Sequence, residues 1–558
     1  MLNIIQSTLR KLKLAGFIIK KIGRKIHKPS LKQIEGIVAE QDIKIPMRDG
    51  VSLAANIYKP LLSGNYPVLM CMTPYGKDEQ PEHYELFKAV GINVGTISTS
   101  DYAVFEGPDP GYWVKEGYVM IHVNARGMWN SEGKAHIFDK QNGLDFYDLI
   151  EWAGVQSWSN GKVGLTGVSY LAWSQWMAAP LNPPHLTAIC PWEGFTDMYR
   201  DVAYQGGIPE TGLMSELYNR RFKSDHNKAY GLNENLLENA KIHYLDDDYW
   251  ANKRPDLAKI TVPALICLSW SDQGLHTRGV LEAYKNIRSD HKWLFTHGRR
   301  KWEVYYSDES KKLQKRFFDY FLKGENNGML QVPAVRLEVR TAYYQAQIRY
   351  EETFPVKHTA YKKLLLNANE KCLSESGPLT EQMTRYNATD KKGKAVFDFR
   401  FIKETEITGG MKLRFWVSTD KGDDMDLFVA VKKMDTAGNE VYFSGYNGNN
   451  HDMVAKGWLR ASQRALDTQK STINQPWHTH QKSQKLKPGE IVPVEIEILP
   501  SSTLFETGTI LRLEILGQEP IVYNSFKHEP IVNKGFHSIY TGGKYDAYLI
   551  VPLVLPVE

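Results

Sequence analysis

The sequence predicts an α/β chain: a doubly wound, mostly parallel sheet with a helical insert, followed by an all-β sandwich. Two observations support this prediction. Up to about residue 330, continuous apolar runs such as residues 66–72 alternate with helical apolar stripes, which is typical of strands covered on both faces. From about residue 335, apolar and polar residues alternate strictly, as in residues 411–418, which is typical of half-buried antiparallel strands.

Length and composition are those of an ordinary globular protein with more than one domain. The chain has 558 residues, 42% of them hydrophobic and 12% aromatic, and we expect about two or three domains. An α/β domain is expected over residues 35–330 and a sandwich over residues 335–558, with a helix that ends at Gly324 before the boundary. Four cysteines without C-x-x-C spacing, three of them in apolar runs, indicate free thiols and a cytoplasmic protein.

Residues 1–34 are expected to form a separate basic, amphipathic segment. Residues 1–30 contain eight lysines and arginines and no acidic residue, and the whole chain has a net charge of +5, so the remainder carries −3. This balance argues against nucleic-acid binding by the body of the chain. The apolar residues between the bases of residues 1–28 fit either a helix packed on the body or a weak contact with a membrane surface. Their longest apolar run is too short to cross a membrane.

The predicted α/β domain begins with a hairpin and continues with alternating strands and helices. Asp49-Gly50 marks the hairpin turn. The predicted strands are residues 41–46, 51–58, 66–72, 118–123, 163–166, 187–190, 262–268 and 293–296. Residues from about 200 to 258 interrupt the series with helical stripes, and we expect them to form a cap over the carboxyl edge of the sheet, where the sites of such sheets lie.

Ser169 follows a predicted buried strand and directly precedes a predicted helix. The connection is the sequence GVSY at residues 167–170. A serine on such a turn is lifted clear of the sheet and lies near the positive end of the helix, which is the geometry of a nucleophile elbow. The general G-x-S-x-G pattern is not met, because Leu171 replaces the second glycine and the small residue is Ala172. A serine in a purely structural turn is therefore the alternative on this stretch alone.

Two further strand ends supply an acid and a base. Asp272 follows one apolar run, and His297 follows the next. Serine, aspartate, histidine is the chain order of α/β-hydrolases. A serine needs a base to take its proton, and an imidazole needs a carboxylate to fix its tautomer. Of the nearby histidines, His276 shares the loop of Asp272 and His291 precedes its strand, so we predict His297 as the base.

With these residues in view, the chain resembles the cocaine esterase and X-Pro dipeptidyl-peptidase group of serine hydrolases, of the CocE/NonD type. The resemblance runs from about Ile43 to the C-terminus. Its matching stretches are residues 45–60, 73–77, 125–133, 148–176 and 262–272. The family elbow reads G-x-S-Y-x-G, so Ala172 replaces only the final glycine. The resemblance implies an α/β-hydrolase domain with a helical cap and a C-terminal jelly roll.

The same resemblance implies roles for individual residues. Ser169 would be the nucleophile and Asp272 the orienting acid. Tyr75, in the TPYGK loop, would donate its hydroxyl to the oxyanion beside the backbone N–H of Tyr170. The histidine segment departs from the family, which usually reads G-P-W-x-H where this chain reads THGRRKW from residue 296. The prediction of His297 therefore rests on its place after a strand.

The expected function is the cleavage of carboxylic esters or amides of small acyl substrates through an acyl-enzyme on Ser169. No cofactor and no metal are expected, because His478 and His480 have metal-like spacing but no third ligand nearby, and no glycine-rich phosphate loop is present. Removal of dipeptides after proline is the alternative within the family. A non-catalytic relative that binds a ligand or a partner is the alternative of another class. The sequence leaves the acyl group and the oligomeric state open.

Overall fold

The structure of the chain, a computed structural model, describes residues 30–34, 36–78, 81–89, 92–223, 230–446, 449–521 and 526–556. The predicted basic segment lies outside the described residues as far as residue 29, and its end at Ser30–Ile34 forms a strand. Within the described ranges, no helix combines the length and apolar character needed to cross a membrane.

Strands make up most of the regular structure in the described part of the chain. They are β1 (Ser30–Ile34), β2 (Ile37–Pro46), β3 (Ser52–Pro60), β4 (Tyr66–Thr73), β5 (Val119–Asn124), β6 (Ser159–Val168), β7 (Leu186–Trp192), β8 (Tyr204–Gln205), β9 (Ile208–Pro209), β10 (Ala264–Ser269), β11 (Lys292–His297), β12 (Val335–Ala342), β13 (Gln345–Glu351), β14 (Thr359–Asn367), β15 (Cys372–Ser374), β16 (Gln382–Asn387), β17 (Lys394–Arg400), β18 (Thr405–Thr419), β19 (Asp426–Met434), β20 (Glu440–Val441), β21 (Ala455–Arg460), β22 (Val492–Phe505), β23 (Ile510–Leu516), β24 (Phe536–Thr541) and β25 (Tyr548–Val554).

The α-helices all lie in the first two thirds of the described chain. They are α1 (Pro81–Ala89), α2 (Pro110–Trp113), α3 (Lys140–Gly154), α4 (Tyr170–Ala178), α5 (Gly212–Glu216), α6 (Leu236–Ile242), α7 (Asp248–Ala251), α8 (Thr277–Asn286), α9 (Lys301–Tyr305) and α10 (Asp308–Phe318). π-Helical turns at Met198–Ala203, Leu217–Phe222 and Asp319–Lys323 extend this set. The predicted cap thus contains helical turns together with the short β8–β9 hairpin.

The first sheet is mostly parallel and has the doubly wound order that the sequence predicts. Its strands pair in the order β1-β2-β3-β5-β4-β6-β7-β10-β11-β12-β13. The strands from β5 to β12 run parallel to one another in this order. Because β5 and β6 lie on opposite sides of β4, the direction of winding reverses there, and ligand sites of such sheets form at the carboxyl ends around this switch point.

Two strands predicted to lie in the sandwich, β12 and β13, belong to the first sheet instead. β12 pairs parallel with β11, and β13 pairs antiparallel with β12. The alternation of β12 is misleading, because its charged residues are buried with partners. Arg336, for example, binds Glu309 at 2.6 Å and donates to the Thr296 carbonyl at 2.8 Å. β12 is therefore covered on both faces, although its alternating sequence is typical of a strand with one exposed face.

The strands from β14 onward form a separate β-rich unit with its own core. Their pairings are antiparallel except for the short contact of β15 with β17. One buried cluster fills the first sheet and its helices, and another fills the β-rich unit. A single parallel bridge, Arg340 to Thr503, joins β12 to β22 across the two units. The chain is thus an α/β unit joined to a β unit.

Candidate active site

Ser169 occupies the turn between β6 and α4, where the sequence analysis expects it. Its backbone has φ 60° and ψ −115°, and its N–H donates to the carbonyls of Trp192 (3.0 Å) and Glu193 (3.1 Å). Gly167 has φ 151°, and a Cβ added there would lie 2.6 Å from Leu171 Cβ, so a side chain at this position is excluded. The Ser169 hydroxyl stands at the carboxyl edge of the sheet and at the start of α4.

The small residue at Ala172 has a packing reason. A Cβ added at Gly194 would lie 2.7 Å from Ala172 Cβ and 3.0 Å from the Trp173 nitrogen. The loop after β7 therefore packs directly on the first turn of α4, and only small residues fit at both places. The generic elbow glycine is replaced by a residue that still permits this close approach.

His276 is the imidazole that lies beside Ser169. Its Nε2 is 3.3 Å from Ser169 Oγ, and its Nδ1 is 2.5 Å from Asp272 Oδ2. A carboxylate only accepts hydrogen bonds, so Nδ1 carries the proton and Nε2 of the neutral ring has a lone pair facing the serine. The ring is 1% exposed and lies parallel to Phe195 with a centroid distance of 6.5 Å. Serine, imidazole and carboxylate thus form one continuous chain of contacts.

The prediction that His297 lies beside Ser169 is wrong. His297 Nε2 instead contacts Glu193 Oε1 at 2.9 Å, and its Nδ1 accepts the Arg299 N–H at 3.2 Å. In the parallel pairing of β10 with β11, His297 stands opposite Ser269, three residues before Asp272. His297 therefore ends β11 as predicted, but its ring is bound to Glu193 and not to Ser169. Burial lowers the pKa of His297 to about 4.

The loop after β10 explains why the acid and the base come from one short segment. The Asp272 carbonyl accepts the N–H groups of Leu275 (3.3 Å) and His276 (3.2 Å), and α8 begins at Thr277. This single turn brings side chains four residues apart to the same side. The spacing D-x-x-x-H just after a buried strand is the sequence signal that would have identified His276.

The charges around Asp272 and His276 favour a neutral imidazole beside an ionised carboxylate. Burial alone would raise the pKa of Asp272, but Lys301, at 3.4 Å from Oδ2, and His276 outweigh it and hold that pKa well below its usual range. Burial lowers the pKa of His276, Asp272 opposes this effect, and the Lys301 cation adds to it. The imidazole is therefore available as a proton acceptor near neutral pH.

Two buried carboxyl groups near the site were not identified from the sequence. Burial, reinforced by the charge of Asp272, raises the pKa of Glu193 well above its usual value. Burial likewise raises the pKa of Glu106 to about 7, and Trp302 Nε1 donates to Glu106 Oε1 at 2.9 Å. Glu193, Asp272 and His276 bring ligand-type atoms within 4.8 Å of one another. Asp272 forms side-chain hydrogen bonds with His276 and with Glu193, and these bonds account for the cluster. Neither Glu106 nor Glu193 lies in a motif.

Tyr75, in the loop after β4, lies against Ser169. Its side chain forms a hydrogen bond with the Ser169 side chain, and burial raises its pKa well above the usual value, so the phenol remains a donor. The ring packs edge-on against Phe105 at 5.0 Å and Tyr170 at 6.3 Å. Tyr170 is the first residue of α4, where backbone N–H groups have no partner within the helix. Both predicted oxyanion donors are therefore close to the serine.

Aromatic side chains surround the serine on the cap side. Phe138 packs on Tyr170 (5.3 Å), on Phe195 (5.2 Å) and on Phe222 (5.4 Å), measured between ring centroids. Phe222 belongs to the π-helical turn of the cap. These rings form an apolar wall beside Tyr170, while the Arg221 guanidinium lies over the Tyr75 ring at 5.5 Å.

A serine hydroxyl, an imidazole and a carboxylate in sequence, with a phenol beside the serine at the switch point of a parallel sheet, define a serine hydrolase of the α/β type. Comparisons with known proteins agree. Residues 49–300 match the family described as X-Pro dipeptidyl-peptidase (S15 family), and residues 327–550 match its C-terminal non-catalytic domain.

Individual relatives narrow this class. The solved structure of a CocE/NonD family hydrolase from Staphylococcus aureus is 43% identical, covers 95% of this chain and 97% of its own, and superposes with a TM-score of 0.91. Cocaine esterase from Rhodococcus sp. is 26% identical over 60% of this chain, a match that spans 63% of that enzyme. An α-amino acid ester hydrolase shares the fold, with 16% identity and a TM-score of 0.73 over 95% of this chain and 99% of its own. The chain belongs to the CocE/NonD hydrolase family.

Proposed function

We propose that the protein cleaves carboxylic esters or amides of small acyl groups through an acyl-enzyme on Ser169, with His276 as general base and Asp272 as its carboxylate partner. One observation carries this proposal. Ser169 Oγ lies 3.3 Å from His276 Nε2, and the other ring nitrogen lies 2.5 Å from Asp272. The hydroxyl is weakly nucleophilic until a base takes its proton, and this contact supplies the base.

In the first half of the reaction, Ser169 Oγ attacks the substrate carbonyl carbon while its proton passes to His276 Nε2. The Asp272 carboxylate stabilises the imidazolium that forms. The Tyr75 hydroxyl and the Tyr170 N–H donate to the carbonyl oxygen as it becomes negative, and loss of one such donor typically costs about a hundredfold to a thousandfold in rate. The imidazolium then gives its proton to the leaving alcohol or amine, and the acyl group stays on Ser169.

In the second half, a water molecule attacks the acyl carbon while its proton passes to His276. The same donors stabilise the second tetrahedral intermediate. Its collapse releases the carboxylic acid, and His276 returns the proton to Ser169. Each step uses side chains, the Tyr170 N–H and water, so the proposed reaction needs no cofactor.

The expected substrates are esters or amides with a compact, mainly apolar acyl group. The cluster of Phe138, Phe195 and Phe222 beside Tyr170 supports this preference. Removal of dipeptides after proline is the second candidate, and the family matched by residues 49–300 supports it. A panel of p-nitrophenyl esters measured beside a Gly-Pro anilide separates the two. Faster turnover of a short-chain ester supports the first candidate, and faster turnover of the anilide the second.

The role of Ser169 is tested by Ser169→Ala. We expect kcat to fall by about a millionfold, since removal of a triad nucleophile costs about that much, and covalent labelling by a fluorophosphonate to disappear. Ser174→Ala is the matched control, because Ser174 is a buried serine of the helix that follows Ser169, and its hydroxyl donates to the Leu171 carbonyl at 3.1 Å. Turnover retained by the purified Ser169→Ala protein would remove Ser169 as nucleophile. An unlabelled, inactive wild type would instead favour a binding protein.

Finer features of the molecule belong to the same proposal. The expected topology of the β-rich unit is a jelly roll, supported by its match to the C-terminal domain of the family. A cytoplasmic location is supported by the free thiols of Cys71, Cys190 and Cys267, all of them buried. Contact of residues 1–28 with a membrane surface stays a prediction, because those residues lie outside the described ranges.

A further inference from the structure

We infer that the β-rich unit positions the acid and the base of the proposed reaction through the side chain of Gln273. This inference rests on the proposed function of Ser169, Asp272 and His276. Residues 272–276, here called the acid–base loop, carry both partners of the serine. A shift of this one loop would therefore move both Asp272 and His276 relative to Ser169.

Gln273 lies in the acid–base loop, and its side chain enters the β-rich unit. Its Nε2 donates to the carbonyls of Val454 (3.0 Å) and Pro500 (3.5 Å), and its Oε1 accepts the Lys456 N–H (2.9 Å). The side chain is buried, and all three bonds end on main-chain atoms: Pro500 in β22, Lys456 in β21 and Val454 directly before β21. The side-chain amide of Gln273 thus connects the acid–base loop to the main chain of the β-rich unit. An apolar side chain could satisfy neither the carbonyls nor the N–H.

Gly274, in the middle of the acid–base loop, is covered by the cap and by the β-rich unit. The Gly274 carbonyl accepts a hydrogen bond from Gln205 of the cap. A Cβ added at Gly274, where φ is 99°, would lie 3.3 Å from the ring of Phe526 and 3.6 Å from that of Trp458, both in the β-rich unit. The loop therefore lies between the cap and the β-rich unit, with glycine at the point of closest approach.

The main-chain hydrogen bonds to the Asp272 carbonyl are long, although the Asp272 and His276 side chains form a short bond of 2.5 Å. The Asp272 carbonyl accepts from the N–H groups of Leu275, His276 and Thr277 at 3.3, 3.2 and 3.5 Å, which is at or beyond the long end of the range for such bonds. The contact of His276 with Ser169 is also long, at 3.3 Å. The bonds of Gln273 to the β-rich unit are shorter on average than these main-chain bonds, so we infer that they fix where the loop, with its Asp272–His276 pair, lies relative to Ser169. In an active site, a misplacement of about 1 Å can cost about a hundredfold in rate.

Gln273 is therefore a positioning residue, and the β-rich unit contributes to the reaction without touching the substrate. The arrangement follows from the place of His276. A base carried by another strand end would leave the acid and the base on two separate segments, and one anchor could not hold both. Here the two groups move together, and a single glutamine suffices.

The test compares Gln273→Met, Gln273→Glu and Gln475→Ala. Methionine keeps the length of the side chain but loses all three bonds, while glutamate keeps an acceptor for the Lys456 N–H. Gln475 is the matched control: its Nε2 also joins the two units, donating to Glu282 (3.0 Å) and Glu497 (2.8 Å), but it does not contact the acid–base loop. Each protein is assayed with the best p-nitrophenyl ester, and fluorophosphonate labelling counts its functional sites.

We expect Gln273→Met to lower kcat per labelled site by about tenfold to a hundredfold, to slow labelling by a similar factor, and to leave KM within about twofold. The kcat per labelled site of Gln273→Glu should lie between those of Gln273→Met and the wild type. Gln475→Ala should keep the wild-type kcat, KM and labelling rate. If Gln273→Met yields little folded protein, the same comparison is made with Gln273→Glu. Wild-type rates per labelled site in both Gln273 variants, or equal losses in Gln475→Ala, would overturn the inference alone. A wild type that neither reacts with the ester nor is labelled would overturn the proposed function with it.

Discussion

At the scale of single residues, the choice between two buried histidines decides the mechanism. His276 contacts both Ser169 and Asp272, whereas His297 contacts Glu193 and the Arg299 N–H. We expect His276→Ala to lower kcat by about a millionfold, as loss of a triad base does, with the folded fraction kept. His297→Asn, the control, should retain activity within about tenfold per folded molecule, since its ring touches no reacting group. Ester assays beside circular dichroism check both, and the reverse ranking would restore the role predicted for His297.

Burial is the largest cause that lowers the pKa of His276, and Lys301 adds to it. The Lys301 ammonium lies 3.4 Å from Asp272 Oδ2, and its charge is one of the causes that lower the pKa of His276. A group with a lowered pKa stays neutral down to a lower pH, so activity of the wild type should extend below the ordinary titration range of histidine. Lys301→Met removes a cation that disfavours the imidazolium, and it leaves the Asp272 charge less compensated. Both effects raise the pKa of His276, so the acidic limb of kcat/KM should move to higher pH.

The control for this shift is Lys301→Arg, which keeps the charge. Its acidic limb should stay close to that of the wild type even if the plateau rate falls. The profiles of kcat/KM from pH 4 to 9 with a p-nitrophenyl ester provide the measurement. An acidic limb that moves to lower pH in Lys301→Met, or stays in place, would contradict the electrostatic role of Lys301.

At the scale of elements, the sequence predicts what depends on local pattern and misses what depends on register or on buried ion pairs. The elbow strand, its helix and Asp272 follow from apolar runs and glycine, and the structure has them in the predicted order. The sequence of β12 predicts the wrong unit because Arg336, which is buried and paired with Glu309, has the pattern of an exposed position. The place of His297 at the end of a strand predicts a catalytic base, but strand pairing places it opposite Ser269 and not opposite Asp272. The four-residue spacing of Asp272 and His276, which is one helical turn, predicts their contact better than the position of His297 at a strand end.

At the scale of the whole molecule, Arg278 ties three parts of the chain together. It lies on α8, its Nη1 binds Asp201 of the cap at 3.2 Å, and its Nε binds Glu497 of β22 at 3.1 Å. The Asp201 side chain is fully buried. Burial raises the pKa of Asp201 to about 6, although Arg278 acts in the opposite direction. Arg278 therefore stabilises the ionised form of the buried Asp201 carboxyl at the junction of the α/β unit, its cap and the β-rich unit.

Arg278→Met should lower the free energy of unfolding by about 3 kcal/mol at pH 8, because removing one partner of a buried pair leaves an uncompensated charge. The loss should be smaller at pH 5. A carboxyl whose pKa is raised on folding contributes stability that is present below its unfolded value of about 3.9 and disappears as the pH rises through its folded value. Without Arg278 the pKa of Asp201 rises further, so at pH 5 the group is protonated and the charge penalty is avoided. Urea unfolding at the two pH values measures the difference, and the double variant Arg278→Met with Asp201→Asn should lose most of the pH dependence. An equal loss at pH 5 and pH 8 would mean that packing of the arginine side chain, and not its charge, holds the three parts together.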